Sequence, residues 1–192
     1  FAVNHLAHQY LTQRLLPLVD KANSPRIIIT SSEVHNPNSP GGKIGESATL
    51  GDLEGLKKGQ GFYMPDGSST FNADKAYKDS KLCNILFARE LFRLLTLRGR
   101  PMPVIAWAPG LVIPRNNGGF FRYSRKYNEL GQRIFAFVVR DILRITETPE
   151  KAGELLTHLA LDAKYSKPIF SFISNKKLAH VLKNILAMEE ND

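Results

Sequence analysis

Apolar positions along the chain fall into alternating stretches of two different periods. From Phe1 to Val19, FAVNHLAHQYLTQRLLPLV, residues Leu6, Tyr10, Leu11, Leu15 and Leu18 recur at helical spacing, with Asn4 near the start; this predicts an amphipathic helix. Arg26 to Thr30, RIIIT, is a short β-branched run that ends at Ser31-Ser32, the pattern of a buried parallel strand whose carboxyl end opens on a crevice. A second long helical pattern opens within KAYKDSK, and Pro103 to Ala108, PVIAWA, predicts another buried strand stopped by Pro109-Gly110. Further on, Leu130 to Ile145 reads as an apolar-rich helix, and Thr148-Pro149-Glu150 is a start signal for another running to about Leu161. Ile169 to Phe172 reads as the last strand and Leu178 to Met188 as a terminal helix. Helix, strand, helix, strand in this order predicts an α/β fold, part of a Rossmann-like doubly wound parallel sheet. Ser32, Tyr77, Lys81 and the Pro109 loop would then share one sheet edge.

Within Ala76-Tyr77-Lys78-Asp79-Ser80-Lys81, a phenol and an ammonium stand four residues apart, one helical turn from each other on one side. A tyrosine hydroxyl ordinarily titrates near about pH 10, and a nearby lysine charge favours the phenolate and draws that value toward neutrality. Proton transfer is the chemistry such a pair can do; an exposed helix start with an incidental Tyr and Lys is the plainer alternative. His158 lies in a helical apolar stripe and reads as a packed core residue. His5 and His8 flank Asn4 and read as structural, and no His, Cys and carboxylate cluster has metal-ligand spacing. Cys83, the single cysteine, is either a small buried apolar residue or a reactive thiol.

The chain has 192 residues and 43% hydrophobic content, enough for one core. No apolar run approaches the roughly 20 residues that span a bilayer. A lone cysteine excludes an intrachain disulfide and suits a reducing compartment such as cytosol or plastid stroma. The net charge of +8 includes a cluster at Arg115, Arg122, Arg125 and Lys126, interleaved with Phe120, Phe121, Tyr123 and Tyr127. Such interleaving can line a pocket, lie on a membrane interface or stack nucleic-acid bases.

VNHLAH, IIITSS, YKDSK and PG, in this order, resemble the short-chain dehydrogenase/reductase family. The resemblance implies an NAD(P)-dependent oxidoreductase with a catalytic tetrad at Asn4, Ser32, Tyr77 and Lys81. Lys81 would hold the nicotinamide ribose and depress the Tyr77 pKa, Ser32 would bind the reacting oxygen or orient Tyr77, and the Asn4 backbone would hold a water. Tyr77, Lys81, Pro109, Gly110, Leu111 and Val112 would touch the cofactor, with NADP (NADPH) favoured by analogy. Residues 111–146 would form a substrate-side lid, and Leu111, Phe120, Phe121 and Tyr123 would line the pocket; this reading is favoured over a nucleic-acid surface. The Gly-rich phosphate fingerprint of the family is absent, so residues 1–192 are expected to be one incomplete cofactor-binding domain, the carboxyl-terminal portion of a longer reductase.

Ser32 and Tyr77 are 77 − 32 = 45 positions apart, wider than in many members, which marks 33–74 as an insertion. NPNSPGGKIG, LGDLEGLKKG and KAYKDSKLCNILFARELFRLL resemble the light-dependent protochlorophyllide reductases of cyanobacteria and plastids. That implies hydride transfer to a ring double bond of a tetrapyrrole in chlorophyll biosynthesis, with Tyr77 and Lys81 assisting protonation. Those reductases carry a Cys after Pro-Gly, assigned a part in proton delivery, where this chain has Leu111. The departure keeps two alternatives open: a dark carbonyl reductase for a retinoid-, steroid- or lipid-like substrate, and an inactive truncated fragment. Peripheral membrane contact and a homo-oligomer are also left open.

Overall fold

The computed structural model describes residues 1–58, 63–68, 71–114, 128–143, 146–174 and 177–179. The chain divides into two compact units, Phe1–Ala108 with Ala163–Asp192, and Pro109–Asp162.

The first unit is built on a four-stranded sheet in the order β1 (Ile27–Thr30), β2 (Val104–Ala108), β3 (Phe170–Ser174) and β4 (Lys177–Ala179). The first three strands are parallel, Ile27 facing Val104 and Val104 facing Phe170; β4 returns antiparallel, Phe172 facing Ala179. The α/β class and the parallel sheet are those expected from the sequence. A π-helical turn (Ala2–Leu6) leads into α1 (Ala7–Val19); a 3-10 turn (Glu33–His35) follows β1, and a short α2 (Glu54–Lys57) lies in the insertion. The long helix α3 spans Ala73–Leu97. Its start is set by Asn72, whose side chain accepts from the Lys75 amide at 3.1 Å. Its end is closed by Gly99 at φ 69°, with the Arg100 amide on the Leu95 carbonyl and the Gly99 amide on Thr96, the paired bonds that satisfy terminal carbonyls and favour glycine there.

Ile85, Ala88, Leu91 and Leu95 of α3 pack on Ile27, Ile29, Val104, Ala106, Ala108 and Phe172 of the sheet. Each fully buried aliphatic side chain in this layer contributes on the order of 1.5–3 kcal/mol of transfer free energy. The stripe expected to seat α1 does not pack: Leu6, Tyr10, Leu11, Leu15 and Leu18 are exposed, and Leu16 and Val19 meet the core instead. Periodicity identifies an apolar face without saying what covers it. Leu178 and Ala179, read as the start of a terminal helix, belong to β4, where pairing with β3 outweighs helical propensity; residues 180–188 of that reading lie outside the described residues.

The second unit contains α4 (Glu129–Phe137), running into a π-helical turn (Val138–Ile142), and α5 (Pro149–Leu161). Asn128 caps α4 through the Gly131 amide, and Thr148 caps α5 through the Lys151 amide with Pro149 just inside it. Ile113, Ala136 and Val139 form its small core. His158 on α5 is exposed, not packed in a core; Leu155 and Leu159 fill the buried positions of that helix. Among the described residues, no helix is long and apolar enough to cross a membrane.

Candidate active site

The site is built at the carboxyl end of β1, where the strand gives way to Ser31 and Ser32 and meets the first turns of α3. Ser31 is buried. Its amide donates to the Trp107 carbonyl at 2.6 Å and its hydroxyl to the Lys81 carbonyl at 2.7 Å. That pins the strand end to both β2 and the helix. Ser32 caps the following 3-10 turn, and its side chain hydrogen-bonds the Tyr77 phenol. His35 closes the turn, its Nδ1 lying 2.7 Å from the Ser32 carbonyl and its ring edge-on to Phe172. A carbonyl only accepts, so His35 Nδ1 carries the hydrogen.

Lys81, one turn beyond Tyr77, is buried. Its ammonium donates to the Thr30 carbonyl at 3.3 Å and stands 5.5 Å from the centre of the Tyr77 ring. Burial lowers the Lys81 pKa. Burial also raises that of Tyr77, a shift the Ser32 hydrogen bond only partly opposes. The expected depression of the phenol by Lys81 is therefore not present in this arrangement, because the ammonium faces the ring and a backbone carbonyl. Asn4 sits in the π-helical turn, its side chain donating to the Ser80 hydroxyl at 3.3 Å. Its backbone carbonyl, expected to hold a water, accepts the Asn84 amide at 3.0 Å.

The geometry thus brings Asn4, Ser32, Tyr77 and Lys81 into one hydrogen-bonded neighbourhood of the first unit. Pro109, Gly110, Leu111 and Val112 belong to the second unit. There Gly110 takes φ 85°, a conformation favouring glycine, Val112 bridges to Glu147, and Leu111 is partly exposed. Phe120, Phe121 and Tyr123 lie outside the described residues, as does the basic and aromatic cluster around them. Cys83 is buried and its thiol is pushed up to about 12, chiefly by burial, which makes it an unreactive core residue. Among the described residues, no group of His, Cys, Asp and Glu could hold a metal ion.

Sequence reasoning missed how the insertion is fastened. Lys78 is fully buried, and its ammonium donates to the carbonyls of Ile44 and, at 2.9 Å, Glu46, with Gly42 at 3.5 Å and the Asp74 carboxylate at 3.1 Å. Lys75 pairs with Asp79 at 2.8 Å and Asp66 at 2.9 Å and donates to the Thr49 carbonyl at 3.0 Å. Asp79, wholly buried, also accepts the Thr49 amide at 2.9 Å. Gly42 and Gly55 permit the tight packing: a Cβ would stand 1.8 Å from the Asn36 carbonyl oxygen in one case and 1.7 Å from that of Met64 in the other. The i,i+4 pairs Asp74 with Lys78 and Lys75 with Asp79 were a visible signal for part of this network.

No family model matches the chain. Protochlorophyllide reductase B of Hordeum vulgare is 41% identical over 99% of the chain and 47% of its own length. Protochlorophyllide reductase of Pisum sativum is 42% identical over 98% of the chain and 47% of its own length. The chain therefore spans about half the length of the relatives it matches throughout. Among solved structures, the NADP-bound angucycline C-6 ketoreductase LanV is 20% identical, with TM-score 0.49 over 91% of this chain and 51% of that one.

Proposed function

The chain belongs to the short-chain dehydrogenase/reductase family, and we propose that it supplies the catalytic half of an NADPH-dependent reductase similar to the protochlorophyllide reductases. One observation carries the reading: the Tyr77 phenol is hydrogen-bonded to Ser32 while the Lys81 ammonium packs over the same ring, at the end of a parallel strand. Lys81 suits a ribose. Among the described residues its ammonium has one hydrogen-bond acceptor, the Thr30 carbonyl at a long 3.3 Å, which leaves N–H groups for ligand hydroxyls.

Bound NADPH would supply hydride to an unsaturated carbon of the substrate. Around it, the residues of this chain bind, orient and move a proton. Lys81 would donate its remaining N–H groups to ribose hydroxyls, and an ammonium drawn by that ribose toward the phenolic oxygen would offset the burial that raises the Tyr77 pKa. Ser32 holds the phenol in one direction, so that the Tyr77 hydroxyl can give its proton to the reduced carbon or oxygen. Asn4 ties the π-helical turn to α3. By family resemblance, Pro109, Gly110, Leu111 and Val112 would contribute cofactor contacts in this reading. The family relationship supports a tetrapyrrole substrate and, from relatives named as chloroplastic, a plastid setting.

A second reading rests on Leu111. An apolar side chain where the related reductases carry a thiol can neither give a proton nor accept a hydrogen bond, which favours dark reduction of a carbonyl on a lipid-like substrate. The experiment mixes the intact protein with NADPH and protochlorophyllide, illuminates, and follows the pigment's red absorption band. Slow photoreduction that Leu111→Cys accelerates supports the first reading. Absence of pigment binding in both proteins contradicts it and leaves the carbonyl reductase in front.

A further inference from the structure

Asn84, one turn beyond Lys81 on α3, is wholly buried, and its carboxamide joins three elements. Its nitrogen lies 3.0 Å from the Asn4 carbonyl of the π-helical turn and 3.1 Å from the Thr30 carbonyl at the end of β1. Both partners only accept, so the NH2 must face them and the amide oxygen must face away. That oxygen lies 3.0 Å from His5 Nδ1. An amide oxygen only accepts as well, so His5 Nδ1 must be the protonated nitrogen. Turning the amide over would set an oxygen against two carbonyl oxygens.

We propose that Asn84 is a positioning residue for Lys81, fixing the Thr30 carbonyl on which the ammonium rests and holding His5 in its Nδ1–H form. Resting on the reading of Lys81 as the ribose anchor, it adds the element that aims it. The Thr30 carbonyl has two lone pairs; Asn84 fills one and Lys81 the other at 3.3 Å. With Asn84 on the same carbonyl, the ammonium is held there by one long bond, and its remaining N–H groups are left for other acceptors. The imidazole completes the brace. His5 is buried, its ring 5.1 Å from that of Phe1 and edge-on to Phe87 at 6.2 Å. Burial keeps its pKa below the ordinary value, so the neutral ring persists. Asn84 thereby couples the turn carrying Asn4, the strand end preceding Ser32 and the helix carrying Lys81.

Two measurements on the intact protein test this. Long-range 1H–15N NMR at neutral pH should show His5 with a pyrrole-type Nδ1 and a pyridine-type Nε2, and an Nε2–H tautomer overturns the hydrogen-bond assignment without any variant. Asn84→Leu removes all three bonds at similar size, and Asn84→Asp keeps the acceptor while losing both donors. In each folded variant NADPH should bind about tenfold more weakly and kcat should fall, an effect the size of one buried hydrogen bond. The KM for the second substrate should stay within about twofold, whereas general loosening of the fold would move both. Should Asn84→Leu fail to fold, the aspartate variant and the wild-type tautomer still decide. NADPH affinity weakened by Lys81→Ala but unchanged in a folded Asn84 variant overturns the proposal alone; affinity unchanged by Lys81→Ala overturns the reading beneath it.

Discussion

Replacing Lys78 with Met removes an ammonium while keeping nearly all of the buried alkyl stem. The carbonyls of Ile44 and Glu46 lose a close donor, Gly42 a longer one, and Asp74 its ion-pair partner. A buried polar group stripped of its partner costs about 1–3 kcal/mol. Asp74 is more than half exposed, so water replaces its partner at little cost. Ile44 and Glu46 are themselves exposed residues, and opening the 42–46 segment to water limits the loss. The two close carbonyls therefore set the scale, about 2–4 kcal/mol against local closure of the insertion. Since 1.4 kcal/mol is a factor of ten, hydrogen exchange at protected amides such as Ser39, Lys43 and Thr49 should accelerate by roughly thirty- to a thousandfold in Lys78→Met. Amides of Ile85 to Leu95 on the core stretch of α3 should keep their rates. Unchanged exchange at the three insertion amides would refute the view that a buried lysine holds this segment.

Ile85→Ala, at a fully buried core position, should cost about 2–5 kcal/mol in chemical denaturation, a cavity-sized loss. The Cys83 thiol, pushed up to about 12 by burial, should react with a disulfide reagent at pH 8 only after denaturant unfolds the chain. Lys75 is held above its ordinary pKa because Asp79 and Asp66 outweigh the burial that would lower it. A raised lysine contributes stability that is complete below its unfolded value of about 10.4 and is lost as pH climbs through the higher folded one, so protection of the insertion from proteolysis should hold through neutral pH and fall above about pH 10.5. Asp66 is held well below the usual carboxylate range by Ser68, Thr49 and Lys75 against the opposing effect of burial; its contribution is present above about pH 4 and declines as acid is added. Burial raises Asp79, which works against that acid loss and makes the alkaline arm the sharper test.

Tyr77 and Lys81 were legible because a helical turn brings positions four apart together wherever the helix lies, and β1 and β2 because short β-branched runs between turn signals have few other uses. Helix starts at Asn72 and Thr148 depend on the capping residue alone. What escaped notice depends on distant partners. Lys78 meets carbonyls 32–36 positions earlier, and Asn84 meets residues more than 50 positions away; no period in the sequence encodes either. Asn84 reads as an ordinary polar interruption on an apolar face until Asn4, His5 and Thr30 are placed around it. His158 shows the converse, since a position beside an apolar stripe is not necessarily on its buried side.

On the proposed reading, Tyr77, braced by Ser32 and Lys81, handles the proton in an NADPH-dependent reduction. Its direct test is Tyr77→Phe in the intact protein, measured by NADPH binding and by single-turnover reduction of the substrate that the wild type accepts. Removing the hydroxyl while keeping the ring under the Lys81 ammonium should leave NADPH affinity largely intact and lower the rate by a general-acid-sized factor, on the order of a hundred to ten thousand. Wild-type turnover in Tyr77→Phe would contradict this role and move proton delivery away from Tyr77.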